Sequence, residues 1–203
     1  MDNADIILPV EIDGKINHVY VLKRPHCEDF IARMSIHYEI VMFTASLSKY
    51  AEPLYAKLDH GSVTAKNLYR EHCTFYNGLF VKDMARLGRA LEDIIIIDNS
   101  PNSYLFQPEN SLPSISWYDD MHDRELMDVV PILEKLAFVR DVRDYLPRIV
   151  DDNKINFNKA KEVLNYGKLI IPEEEDRKLF TPIKHKEENL NTRHYNSSQK
   201  PST

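Results

Sequence analysis

An α/β fold built on a parallel sheet is what the sequence predicts, and two observations carry that prediction. Apolar, β-branched runs alternate along the chain with segments of helical spacing, the order that builds βαβ units. Two of the runs, Tyr38-Glu39-Ile40-Val41-Met42 and Ile94-Ile95-Ile96-Ile97, lead directly into polar clusters, Phe43-Thr44-Ala45-Ser46 and Asp98-Asn99-Ser100-Pro101. In open α/β sheets ligands bind at the carboxyl ends of the strands, so both clusters fall where a site would form.

Taken in order, Ile6 to Ile12 alternates in polarity, Asp13-Gly14 is a favoured two-residue turn, and Ile16 to Leu22 resumes the apolar character, which together predict a β-hairpin. Pro25 is placed to open a helix running to Tyr38, with Phe30, Ile31 and Met34 at helical spacing. The run from Tyr38 to Phe43 predicts a fully buried strand, and a second helix follows from about Ser48 to Asp59. Beyond Gly61, the segments Asn67 to Arg70, Cys73 to Tyr76 and Leu79 to Val81, the last two joined by Asn77-Gly78, predict a small β insertion. Four consecutive isoleucines from Ile94 predict a buried strand, since two heavy branches at Cβ favour extended backbone. A helix from about Asp123 to Val139 contains Pro131, which is expected to kink or divide it, and another helical segment is expected to reach Tyr145. From Arg148 onward the periodicity fades into Lys, Asn, Ser and Pro, so residues 1–147 are expected to be the folded domain. Residues 148–203 are expected to be a mostly disordered tail with a short helix near Asn158 to Leu164.

Charge and composition narrow the function. Residues 1–150 hold 16 Lys and Arg against 23 Asp and Glu, an acidic balance that argues against duplex nucleic acid as a partner and suits a basic peptide or a metal. The two cysteines, Cys27 and Cys73, lack the spacing of a zinc site and cannot form a disulfide framework. No apolar run approaches the roughly 20 residues of a membrane helix. Neither a signal peptide nor a membrane contact is expected, and a nuclear or cytosolic setting is. The five glycines form neither a dinucleotide fingerprint nor a P-loop, and no G-x-S-x-G elbow is present. What remains is the Thr44 hydroxyl at one strand end, Asp98 and Asn99 at another, and Lys82 after a short strand. Such a set can hold a phosphoryl group and a hard cation. Singly, each has an ordinary alternative: Thr44 or Ser46 as a helix cap, Asp-Asn-Ser-Pro as a turn, Lys82 as a solvated lysine.

The ordered set Val10-Glu11-Ile12-Asp13-Gly14, Val19-Tyr20-Val21-Leu22-Lys23-Arg24-Pro25, Phe43-Thr44-Ala45-Ser46, Tyr69-Arg70-Glu71, Val81-Lys82-Asp83, Leu87-Gly88-Arg89 and Asp98-Asn99-Ser100-Pro101 resembles the small phosphatases that act on the C-terminal domain of RNA polymerase II. These belong to the FCP1-homology group of the haloacid dehalogenase superfamily. The resemblance covers Ala4 to Tyr145 and implies a haloacid dehalogenase-like, Rossmannoid parallel sheet with helices on both faces. It also implies a protein serine/threonine phosphatase that works through a phosphoaspartate intermediate with magnesium (Mg2+). On that resemblance Thr44 and Lys82 stabilise the transferring group, Asp98 and Asn99 belong to the metal shell, and Val10, Ile12 and Leu47 form an apolar pocket for a substrate proline. Tyr50 and Arg70 then line the peptide and phosphate approach. The implied substrate is a phosphoserine-proline protein segment such as the polymerase C-terminal domain, met in the nucleus.

The family's nucleophile lies in an Asp-x-Asp-x-Thr motif, in which residues two apart on a strand share a face. No such motif occurs in these 203 residues. Two readings follow: a phosphatase whose first central strand precedes Met1, or a phosphatase-like protein that binds phosphopeptides or regulatory partners without hydrolysing them.

Overall fold

The structure, a computed structural model, describes residues 4–12, 14–58 and 64–166. Strands β1 (Ile6–Ile12) and β2 (Lys15–Val21) form the expected antiparallel hairpin, with Ile6 opposite Val21 and Ile12 opposite Lys15. Leu8 and Val10 are buried on one face of it, whereas Ile7 and Tyr20 are exposed.

Helix α1 (Cys27–Met34) is shorter at both ends than Pro25 to Tyr38. His26 sits at φ 65, in the left-handed region, so the right-handed path cannot begin before Cys27. Glu28 and Asp29 in its first turn and Arg33 in its last complement the helix dipole. Strand β3 (Ile40–Phe43), helix α2 (Ser48–Leu58) and strand β4 (Thr64–Leu68) make a parallel unit in which Phe43 lies opposite Leu68. β3 is half-buried rather than fully buried: it is paired with β4 alone among the described residues, and Val41 remains 37% exposed. The strand expected over Asn67 to Arg70 ends at Leu68, because the Arg70 N–H turns away to the Ser46 carbonyl at 2.9 Å and Arg70–His72 becomes a 3-10 turn.

The small insertion is the hairpin of β5 (Thr74–Tyr76) and β6 (Leu79–Val81). Asn77 and Gly78, at φ 47 and φ 82, give its turn the doubly left-handed backbone whose twist matches the flanking strands. A second parallel pair joins β7 (Ile96–Asp98) to β8 (Ser111–Pro113), with Asp98 opposite Pro113. β7 starts later than the isoleucine run, because the Ile94 carbonyl is taken by the buried Asn110 amide at 2.7 Å. The parallel sheet is therefore present as two pairs, and among the described residues no strand is hydrogen-bonded between them.

Helix α3 (Glu125–Leu136) passes through Pro131 undivided. An interior proline costs a helix about 3 kcal/mol, and here the burial of Val129, Val130, Ile132, Leu133 and Leu136 on one apolar stripe offsets it. Those residues form the main core with Met34 and Leu112. α2 lies outside that cluster and buries Ala51 and Tyr55 instead.

The packed part runs past the boundary expected at residue 147. Helix α4 (Leu146–Ile149), the short ladder of β9 (Val150–Asp151) with β10 (Lys154–Ile155), and helix α5 (Phe157–Tyr166) follow, and Leu146, Ile149, Ala160 and Leu164 are buried in the main core. The weak apolar signal of α5 suffices because only one narrow stripe meets the core. Residues 167–203, where the remainder of the expected tail lies, are outside the described residues. Leu164→Ala is expected to lower the unfolding free energy by about 2–5 kcal/mol, as removal of a buried leucine does. Urea denaturation followed by Trp117 fluorescence would show it; a loss below about 0.5 kcal/mol would mean that α5 is peripheral.

Candidate functional site

The two parallel pairs end close to one ammonium group. Lys82 follows β6, its N–H donates to the Ser103 carbonyl at 2.8 Å, and its neighbours Val81 and Met84 are fully buried. Gln107 locks the same turn: its amide donates to Asp83 at 2.9 Å and its carbonyl oxygen accepts the Met84 N–H at 3.1 Å. So held, the Lys82 side chain reaches Asp98 Oδ2 as a salt bridge in which each side chain is only 9% exposed. Its Nζ also lies 5.7 Å from the centre of the Phe43 ring, within reach of a cation–π attraction. Lys82 thus spans from the end of β7 to the end of β3. A buried cation of this kind is not the solvated lysine that Lys82 resembles in isolation.

Asp98 is fixed on three sides. Its Oδ1 accepts the Ser100 N–H at 2.8 Å, its Oδ2 takes Lys82, and its carbonyl accepts the Ser114 N–H at 3.0 Å. Asn99, exposed beside it, donates its amide to Ser116 Oγ at 2.8 Å, and its amide oxygen is the side-chain atom chemically able to ligate a cation. The described residues contain no group of three or more His, Cys, Asp or Glu able to hold a metal ion. Asp98, whose two oxygens also take the Ser100 N–H and Lys82, and Asn99 carry side-chain oxygens, the donor type that magnesium accepts beside waters and phosphate oxygens.

Thr44, one residue beyond β3, donates its N–H to the Leu68 carbonyl at 3.0 Å and accepts the Ser46 N–H on Oγ1 at 3.1 Å. Neither Thr44 nor Ser46 caps α2. That role falls to Glu71, whose carboxylate accepts the N–H of Ser48 at 3.1 Å and its hydroxyl at 2.8 Å and is held below the usual carboxylate range first by its own backbone N–H and then by those two bonds. Arg70 donates from Nε to the Ala45 carbonyl at 2.6 Å and lies 4.7 Å above the Phe80 ring, so it braces the loop that carries Thr44. Cys73, near Lys82 and Arg70, has its thiol pushed up by burial and stays protonated.

Of the residues expected to receive a substrate proline, Val10 lines a depression together with Pro9, Glu11, Gly14, Lys49 and Tyr50, the last of which was expected on the peptide approach. Leu47 is not part of that lining; its carbonyl accepts the Tyr50 and Ala51 N–H groups at the start of α2. The side chain of Ile12 lies outside the described residues.

Sequence reasoning missed the polar lattice behind the site. Arg24 donates to both carboxylate oxygens of Asp123 at 2.8 Å, to Glu125 at 2.5 Å, to Ser114 Oγ at 3.0 Å and to the Ile115 carbonyl at 3.1 Å. Glu125 in turn accepts the Ile115 N–H at 2.9 Å. This lattice fixes residues 114–116, which hold Asp98 and Asn99. Its partners are about a hundred positions apart in sequence, so no local spacing could have flagged them.

The sequence profile described as "NLI interacting factor-like phosphatase" matches residues 1–143. A human CTD small phosphatase-like protein is 53% identical over 149 residues, covering 73% of this chain and 54% of that protein. A probable C-terminal domain small phosphatase of Dictyostelium discoideum is 51% identical over 76% of this chain and 49% of its own length. Human carboxy-terminal domain RNA polymerase II polypeptide A small phosphatase 1 is 51% identical over 72% of this chain and 56% of its own length. The chain spans about half the length of the curated relatives it matches.

Proposed function

The chain belongs to the NLI interacting factor-like phosphatase family, and on that premise we propose that it forms the phosphate-holding part of a magnesium-dependent protein serine/threonine phosphatase acting on phosphoserine-proline segments. The observation that carries the reading is the buried Lys82 ammonium held between Asp98 and Phe43. A cation kept in a site of low water content stabilises charge on a transferring phosphoryl group far better than one in solvent, and it needs no reorganisation during reaction. Thr44 supplies a neutral donor from the neighbouring strand end, and Arg70 holds the Thr44 loop in place. Asp98 and Asn99 would hold magnesium, which would supply neutralisation of the phosphate charge. The proline following or preceding the phosphoserine sits in the depression lined by Val10 and Tyr50. The names of its relatives support a substrate like the C-terminal domain of RNA polymerase II, and a nuclear setting would follow from such a substrate.

A second reading is that the chain binds phosphopeptides without hydrolysing them, and the specific observation favouring it is that no Asp-x-Asp-x-Thr nucleophile motif occurs in the 203 residues. One experiment separates the two. A phosphoserine-proline peptide is incubated with the chain and magnesium, and both phosphate release and peptide binding are followed. Release abolished by EDTA once a strand carrying Asp-x-Asp-x-Thr is supplied ahead of residue 1 supports the phosphatase; binding with no release even then supports the binding module; neither binding nor release refutes both.

A further inference from the structure

The β5–β6 hairpin carries an aromatic pair with no part in the site described above. Phe75 and Phe80 lie opposite each other in the ladder, so both side chains stand on one face, with ring centroids 5.3 Å apart. Phe80 is half-buried, whereas Phe75 is 66% exposed. The hairpin is anchored where it meets the fold, since Val81 is fully buried and the Lys82 N–H donates to the Ser103 carbonyl at 2.8 Å. The pair is also continuous with the Thr44 loop. Arg70 donates from Nε to the Ala45 carbonyl at 2.6 Å, and its guanidinium lies 4.7 Å from the centre of the Phe80 ring. Among the described residues its two Nη groups have no acceptor and no carboxylate pairs with it; the neighbouring Glu71 carboxylate is engaged by Ser48. A guanidinium with donors to spare is a local positive point in a chain whose first 150 residues hold 23 Asp and Glu against 16 Lys and Arg.

We propose that Phe75, Phe80 and Arg70 form a ledge that recognises the flank of the phosphorylated segment: an aromatic side chain packs on Phe75, and the carboxylate of the next residue meets the Arg70 Nη groups. The inference rests on the reading of the strand ends around Lys82 as a phosphate site. Charge complementarity selects the carboxylate, because a guanidinium fork matches its two oxygens. Ring packing in edge-on or offset geometry selects an aromatic partner. The steps of 4.7 Å from Arg70 to Phe80 and 5.3 Å on to Phe75 are spanned by about three residues of extended chain at roughly 3.3 Å each, which sets the spacing from the phosphoserine.

The test is fluorescence anisotropy of labelled phosphoserine-proline peptides on the full chain in magnesium. Phe-Glu is placed with its phenylalanine three residues before or three residues after the phosphoserine, beside twins carrying Ala-Gln there. In one of the two placements Phe-Glu is expected to bind about three- to tenfold more tightly than Ala-Gln, the range of an aromatic pair. Phe75→Thr, which keeps a residue suited to a strand, is expected to bring that gain below about twofold and to leave the affinity for the Ala-Gln peptide unchanged. No gain in either placement, a gain that survives Phe75→Thr, or an equal loss for both peptides overturns the proposal. An Ala-Gln peptide that binds no better phosphorylated than unphosphorylated overturns the phosphate reading, and this inference with it; phosphate preference with no effect of the flank overturns the ledge alone. A second measurement needs no variant of the chain. Photoreactive p-benzoylphenylalanine in place of the peptide phenylalanine is expected to cross-link to residues 74–80, and cross-links confined to other segments refute the assignment. A dimer in sedimentation that Phe75→Thr dissociates would give the ledge to a second copy of the chain and refute it as well.

Discussion

Replacing Lys82 by alanine is expected to cost about 3–5 kcal/mol of stability as well as phosphopeptide binding, the stability loss being typical of a buried ion pair broken from one side. The two side chains are each 9% exposed, so the Asp98 carboxylate would be left without its cation and without water to replace it. Folding is therefore expected to suffer along with binding. The informative partner is Lys82→Met with Asp98→Leu, which replaces the pair by apolar groups of similar volume. Such replacements are often neutral or stabilising, so the double variant is expected to recover most of the midpoint in urea while its phosphopeptide binding stays lost. Recovery of folding without recovery of binding would show that the pair is held for phosphate rather than for stability. A double variant as unstable as Lys82→Ala would show that the pair is chiefly structural.

Arg24→Met is expected to be comparably severe, again by about 3–5 kcal/mol, and to shift the melting temperature on the order of 10 °C. Asp123 and Glu125 are 17% and 10% exposed, and both lose their partner at once. The pH dependence has a definite sign. The bidentate Arg24 guanidinium beside Asp123 holds that carboxyl below the usual carboxylate range. A depressed folded value means stability that is fully present above the unfolded value of about 3.9 and is lost as pH falls through the folded one. The difference between the unsubstituted chain and Arg24→Met should therefore be flat near neutrality and shrink below about pH 4. Calorimetric melts across that window check it, and a difference that stays constant down to pH 3 would mean that the loss is packing alone. Because Arg24 also orders residues 114–116 beneath Asp98 and Asn99, phosphopeptide affinity should weaken with it.

The elements legible in the sequence are those whose signal is local. The Asp13-Gly14 and Asn77-Gly78 dipeptides announce their hairpins, and Gly14, Asn77 and Gly78 take a left-handed backbone that few residues adopt. The polar clusters after two apolar runs placed Thr44, Asp98 and Asn99 at strand ends for the same reason of pattern. What was not legible depended on distant partners. β8 is only three residues long, ends in Pro113, and is defined by pairing with β7 rather than by any periodicity of its own. His26 shortens α1 by a backbone excursion that its side chain does not advertise. Pro131 breaks a helix by its own chemistry, yet the apolar stripe around it keeps α3 whole.

The most direct test of the account is fluorescence anisotropy of a labelled phosphoserine-proline peptide titrated with the chain in magnesium, beside its unphosphorylated twin. The phosphorylated peptide is expected to bind at least about tenfold more tightly, the worth of one charge-assisted contact to the phosphate, with the preference erased in Lys82→Met/Asp98→Leu. Equal affinity for the two peptides would contradict the claim that the strand ends around Lys82 form a phosphate site.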